Sequence, residues 1–311
     1  MKTKFKNLSL IILGIFSAFV FSSCSKDEEN EPMDSPKNVV QVASADARFS
    51  ILVEALTKAN LTSALQADGP FTVFAPTNDA FEALFADLGV NGISDLDAAT
   101  LTPILLNHVI SGKVTSSQIS TGYVSSLNKT APGGNAVKLY ISKTSDVKID
   151  GSKVVVADVA ASNGVIHAID KVILPASLVN HAINNPDFSI LVQAVVIAGL
   201  VDALSAAGPF TIFAPTNEAF QALFNTLGVS GIADLTAEQL TPILLYHVVS
   251  GNVVASQVTN GSVPTLNEGN SLNLAVNGSG VTINSNTNVI ATDVQGTNGV
   301  IHAIDSVLLP D

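Results

Sequence analysis

Thr72-Val73-Phe74-Ala75-Pro76-Thr77-Asn78-Asp79-Ala80-Phe81 returns later in the chain as Thr211-Ile212-Phe213-Ala214-Pro215-Thr216-Asn217-Glu218-Ala219-Phe220. Each version reads as a short strand followed by a helix. The strand is Phe71 to Ala75, entered through the turn dipeptide Gly69-Pro70. Thr77 is the expected N-cap, Asp79 falls in the first turn, and the helix is expected to end near Phe85. Around this stretch, Phe71–Leu96 and Phe210–Leu235 agree at 19 of 26 positions, at an offset of 139 residues. The same offset pairs Phe49 with Phe188 and His108 with His247. Further on, Asn163-Gly164-Val165-Ile166-His167-Ala168-Ile169-Asp170 recurs unchanged as Asn298 to Asp305, at an offset of 135, so four loop residues are missing between.

The chain therefore holds two copies of one domain, placed at 38–176 and 177–311. The period is far longer than that of a solenoid repeat. Helices lead each copy. Ser50 to Ala59 carries Ile51, Leu52, Ala55, Leu56 and Ala59 at helical spacing. Thr236-Ala237-Glu238-Gln239 has the capping-box pattern, and Pro103 and Pro242 suit the first turn of the next helix. Strands follow: Ala136 to Ile141, Val147 to Ile149, Val154 to Val159 and Val165 to Leu174, with Asp150-Gly151 as a hairpin turn. Helices followed by strands give an α+β class with a sheet or sandwich core.

The stretch Thr72 to Phe81, its copy, and Asn163 to Pro175 with its copy Asn298 to Pro310 resemble the two signatures of fasciclin domains. Tyr246-His247 stands between them, where that family carries a Tyr-His pair. The resemblance implies a wedge-shaped β-sandwich with several helices, present here as two tandem copies. It also implies extracellular adhesion or matrix binding without a catalytic centre. Copy one departs from the pattern, with Asn107 before His108.

The N-terminus reads as an export signal. Lys2, Lys4 and Lys6 precede an apolar run from Leu8 to Phe21, too short to cross a bilayer. Ser22-Ser23-Cys24 resembles a bacterial lipoprotein cleavage site, which makes 1–23 a signal peptide and Cys24 the lipidated residue. Residues 24–37 read as a flexible acidic tether, since Lys26-Asp27-Glu28-Glu29 and Pro32 cannot bury apolar surface. The expected location is the outer membrane, on its exposed face. Cys24 is the only cysteine, so no disulfide supports either copy.

The net charge of −12 is unevenly spread. Residues 38–176 hold nine Lys and Arg against twelve Asp and Glu; residues 177–311 hold nine acids and no Lys or Arg. Nucleic-acid binding depends on cations that neutralise phosphates, so copy two is excluded from it. The expected partner is a protein or polysaccharide at the cell surface, with the membrane met through the lipid alone. All ten Phe beyond the signal pair between copies and read as core. Tyr123, Tyr140 and Tyr246 are left as candidate exposed aromatics.

No phosphate loop, nucleophile elbow or metal-ligand spacing is present in the sequence, so no catalytic residue, metal or cofactor is expected. His167 and His302 each precede an Asp, Asp170 and Asp305, by three residues. On a strand those positions face opposite ways, so the pairs cannot meet directly. With Thr77, Asn78, Thr216 and Asn217, these residues read as structural motif positions, and each ring as hydrogen-bonded inside the core. Tyr246, His247 and His108 are the candidate ligand-binding residues. Tyr246, if exposed, would anchor a partner on copy two. The polar segments Gly261 to Asn270 and Asn277 to Asn288 read as loops rich in Asn, Ser, Thr and Gly. The function expected is a lipid-anchored adhesion or matrix-binding module; the alternative is a carrier of an apolar small molecule, and an enzyme comes third.

Overall fold

The computed structural model describes residues 36–278 and 280–310. The signal peptide, Cys24 and all but the end of the tether lie outside the described residues. The chain divides into Met1–Ser35 and a second compact unit, Pro36–Asp311, which holds both copies.

Copy one begins with α1 (Val39–Ser44), α2 (Ser50–Lys58) and α3 (Thr62–Gln66), then β1 (Phe71–Pro76), α4 (Asn78–Leu88) and α5 (Ala98–Asn107). Six strands follow: β2 (Val109–Ser111), β3 (Gly122–Ser125), β4 (Lys138–Lys143), β5 (Val147–Ile149), β6 (Ser152–Ala161) and β7 (Gly164–Ile169). Copy two repeats the order with α6 (Leu178–Asn184), α7 (Ser189–Ile197), α8 (Val201–Ser205), β8 (Phe210–Pro215), α9 (Asn217–Leu227) and α10 (Ala237–Tyr246). Its remaining strands are β9 (Val248–Ser250), β10 (Gly261–Pro264), β11 (Ser271–Asn277), β12 (Gly280–Ile283), β13 (Thr287–Gly296) and β14 (Gly299–Ile304).

Each copy forms one seven-stranded mixed sheet, ordered β2-β1-β7-β6-β5-β4-β3 in the first. β1 and β7, far apart in sequence, pair in parallel as the second and third strands of that order, with Phe74 opposite His167. The sheet folds back on itself. Leu127 N–H donates to Val109 O at 2.8 Å and Ile110 bridges Ser126, so the end of β3 meets β2. Leu266 and Val248 repeat the contact at 2.8 Å in copy two. This is the sandwich of the wedge expected from the sequence. Phe74, Leu139, Ile141, Ile149 and Ile169 pack inside it. On the other side of β1 and β7, Val73, Ala75, Ile166 and Ala168 meet Leu52 and Phe81 of the helices. Side chains alternate faces along a strand, so β1 feeds both cores.

Several boundaries differ from the sequence reading, each for a local reason. α4 continues past Phe85 to Leu88 and stops where Gly89 turns left-handed at φ 68°. Pro103 and Pro242 lie inside α5 and α10, because Asp97 caps one helix at Thr100 N–H and Gln239 accepts from Thr236 N–H to start the other early. β7 ends at Ile169 rather than Leu174; its register partner is Pro76, which has no N–H to extend a ladder. The polar segments read as loops in copy two contain β10 and β12. Their strand pairing, rather than their composition, sets their conformation.

Asn163-Gly164 does more than turn the chain. The Asn163 amide donates to Leu65 O at 2.9 Å and Ala67 O at 2.7 Å, and its oxygen accepts from Val39 N–H at 2.9 Å. It thereby ties α1 and the end of α3 to β7. Asn298 does the same for Leu204, Ala206 and Leu178. At Gly164 and Gly299 a Cβ would collide with the carbonyl oxygen of Phe71 or Phe210, so both positions require glycine. Replacing Asn298 with Ala leaves two buried backbone groups and one part-buried group unpaired and is expected to cost about 3 kcal/mol or more. Chemical denaturation checks this, and a loss under about 1 kcal/mol would show that water replaces the amide.

Candidate functional site

The two signature motifs act as fasteners. In the first, Thr77 and Asn78 serve different helices. Thr77 Oγ1 accepts from Ala80 N–H at 3.4 Å and caps its own helix, α4. Asn78 reaches back to the earlier helix: its Oδ1 accepts from Ile51 N–H at 3.1 Å, and its amide donates to Ala47 O at 2.9 Å. Thr216 and Asn217 repeat both roles, with Asn217 Oδ1 accepting from Ile190 N–H at 2.9 Å.

In the second signature, His167 sits on the wedge face of β7, stacked on Phe74 with ring centroids 5.9 Å apart. Its Nδ1 accepts from Asp158 N–H at 3.2 Å and its Nε2 faces Val114 O at 2.9 Å, so the proton resides on Nε2. Asp158 is the bulge residue of β6, held at φ 62°. The ring thus joins the bulge to the loop after β2. His302 makes the same pair of contacts, with Asp293 N–H at 3.4 Å and Val253 O at 2.9 Å. Asp170 and Asp305 have partners of their own: Asp170 Oδ1 accepts from Lys153 N–H at 2.7 Å and Asp305 Oδ1 from Asn288 N–H at 2.8 Å.

The candidate ligand-binding residues lie inside. His108 Nδ1 donates to Ile104 O at 2.7 Å, and its Nε2 accepts from Ile173 N–H at 2.8 Å. His247 repeats this with Ile243 O at 2.8 Å and Leu308 N–H at 2.9 Å. Burial holds both rings near a pKa of about 4, well below the ordinary imidazole value. Tyr246 is 5% exposed, packed with Phe213, Val249 and Leu272. Its hydroxyl donates to Ser271 O at 3.1 Å and accepts from Asn284 at 2.9 Å. The expectation of an exposed Tyr246 anchor is thereby corrected. A tyrosine at a helix end above a sheet buries its ring when its hydroxyl finds partners. Asn107, its counterpart, is also buried, donating to Ile173 O at 3.4 Å and accepting from Ser126 at 3.3 Å. Tyr140 is buried as well and Tyr123 half-buried.

Tyr123 marks a polar junction between the copies that the repeat pattern did not reveal. Its ring lies 5.0 Å from that of Tyr140 and 5.8 Å, edge-on, from that of His181. Asn185 donates to its hydroxyl at 3.3 Å, and Asn252 of copy two donates to Pro132 O of copy one at 3.3 Å. His181 is fully buried, donates Nε2–H to Gln295 O at 3.1 Å, and has its pKa lowered by burial to about 4. Asp150, at the hairpin turn of copy one, is raised by burial to about 7, against the opposing hydrogen bond from Tyr140 N–H. The signal available was the break in the repeat: His181 stands where copy one has Val42. Among the described residues no group of three or more His, Cys, Asp and Glu is placed to hold a metal, and no helix is long and apolar enough to cross a membrane.

The fasciclin domain family matches residues 47–175 and 186–310, and the chain belongs to that family. It is similar to protein sll1483 of Synechocystis sp., 46% identical over 142 residues that make up 46% of this chain and 76% of that protein. It is 28% identical to human periostin over 255 residues, 81% of this chain and 30% of periostin. It is 31% identical to the transforming growth factor-beta-induced protein ig-h3 of Sus scrofa over 250 residues, 79% of this chain and 36% of that protein. The chain thus spans about a third of the length of those two larger relatives. A solved FAS1 domain pair from the insect cell adhesion molecule Fasciclin I aligns with 82% of this chain and 95% of that chain, at 22% identity and a TM-score of 0.49.

The buried histidines set a pH dependence. His108, His181 and His247 bind protons near pH 6.5 when unfolded and near 4 when folded. Between those values the unfolded chain takes up more protons, so their contribution is complete above about 6.5 and is lost as the pH falls toward 4. Asp150 has the opposite sign, contributing fully below its unfolded value of 3.8 and losing that contribution as the pH rises to about 7. Three groups oppose one, so the melting temperature is expected to fall between pH 6.5 and 4.5, and His247→Gln to flatten that slope. Thermal melts at closely spaced pH values would expose a flat or inverted profile.

Proposed function

We propose that the chain is a non-catalytic adhesion or matrix-contact module carried on the outer membrane by a lipid at Cys24. The fasciclin domain, matched twice along the chain, carries this reading, since adhesion and matrix binding are the roles that the family implies. The geometry of the histidines supports it. His108, His167, His247 and His302 each have both ring nitrogens engaged by backbone groups, which leaves no free proton or lone pair for general acid-base work. Two linked domains also fit adhesion, because linkage raises avidity without new contacts.

The partner is a protein or polysaccharide met by shape and neutral hydrogen bonds on copy two, which has no Lys or Arg to offer. Surface-immobilised full-length chain is expected to retain cells or matrix polymers, with retention by copy two changing little between low and moderate salt. Steep weakening with salt would overturn the neutral-contact reading. Cys24→Ala is expected to abolish labelled palmitate incorporation and release the protein from the membrane fraction. Unchanged labelling would remove the lipid anchor from the proposal.

A further inference from the structure

Copy two contains an apolar cavity that copy one has almost closed. It lies between α6, α7 and α8 and the helix-facing side of β8 and β14, with Leu191, Val195, Leu204, Ile212 and Ile301 in its wall. Its volume is about 130 Å³; the equivalent space in copy one, lined by the matching residues, is about 10 Å³. An apolar cavity of roughly 150 Å³ stays dry and accepts a benzene-sized guest. His247 touches the cavity, but both of its nitrogens are already bonded, so the wall offers a ligand no hydrogen bond.

The two copies differ here in a consistent direction. Leu56 of copy one becomes Val195, shorter by one methylene in the wall. At the opening, Ser44 and Thr57 become Ile183 and Val196, which are 57% and 60% exposed. In copy one those hydroxyls bond to Val40 O and Val53 O. Helix α7 keeps only Ser189 and Gln193 as polar residues, where α2 has Ser50 and Glu54 at those positions and Thr57 and Lys58 besides. Exposed apolar side chains gathered at the mouth of a pocket mark a binding site rather than scattered surface hydrophobes. Copy two has nine acids and no Lys or Arg to neutralise an anionic head group.

We propose that this cavity of copy two binds the alkyl chain of an uncharged lipid-like molecule, entering end-first between Ile183 and Val196. The site takes hydrocarbon because burial of apolar surface is the sole attraction it supplies. It rejects fatty-acid anions because the surrounding domain is acidic. This activity is separate from adhesion and holds or fails independently of it.

The test uses the full chain, freed of added lipid, with the uncharged fluorophore N-phenyl-1-naphthylamine as probe. Saturable binding at one site per chain is expected, with displacement by 1-decanol at least tenfold more effective than by decanoate. Val195→Phe, which fills the cavity, is expected to weaken probe binding at least tenfold while the protein still melts cooperatively. Ile183→Ser with Val196→Thr restores the copy-one residues at the surface, where folding is not at risk, and is expected to weaken binding as well. Leu56→Phe in copy one serves as the control and should leave binding unchanged. Absence of saturable binding, equal competition by decanoate, or binding unaffected by both copy-two variants would overturn the proposal. So would a surface double variant that abolishes self-association in sedimentation while probe binding persists, since the mouth would then be a contact between chains.

Discussion

The parallel pairing of β1 with β7 is the contact on which the rest of each domain depends. It joins residues about ninety apart in sequence, and it brings the backbone of Gly164 against the carbonyl of Phe71 too closely for any side chain. Long-range parallel pairing carries a large loop-closure cost, so it needs reinforcement. Asn163 provides that by holding the N-terminus of α1 and the C-terminal end of α3 against the same strand. The helices then cover one face of β1 and β7, and the folded-back strands cover the other.

Polar residues that looked chemical from their sequence context are fasteners of this frame. His167 and His302 hold a strained bulge residue and a loop together. His108 and His247 sit at a helix end and bond to the segment after β7 or β14. A neutral imidazole serves here because it donates at one nitrogen and accepts at the other, matching one carbonyl and one N–H. At His108 and His247 proton uptake would place two donors face to face, which agrees with the low pKa that burial imposes on those two rings. The paired histidines therefore belong to stability.

The differences between the copies are concentrated. Copy one carries all the cations of the two domains, and copy two carries none. Copy two has an open apolar cavity with an apolar rim, where copy one has a nearly closed one with hydroxyls at its mouth. The two copies share the frame and differ by a methylene in the cavity wall and by several surface polar groups. The junction between copies is also particular to each: Tyr123 and Tyr140 are supplied by one, His181 and Asn185 by the other. Buried titratable groups at such a junction couple its packing to pH more strongly than solvated ones.

The sequence by itself determined the duplication, the α+β class, and the identity of the core. Repeats at fixed offsets expose every paired position, and eight of the ten paired Phe are buried, with Phe71 and Phe210 half-buried. Local signals such as the Thr77 cap and the Asp150-Gly151 turn were legible because their partners lie within a few residues. The tertiary structure alone decided whether Tyr246 faces solvent, since its hydroxyl partners lie 25 and 38 residues away. It also decided that Asn78 and Asn163 fasten distant helices, and that Val195 leaves a cavity where Leu56 leaves almost none. A side chain's burial and a cavity's volume are sums over neighbours brought together by folding, and no window of the chain contains them.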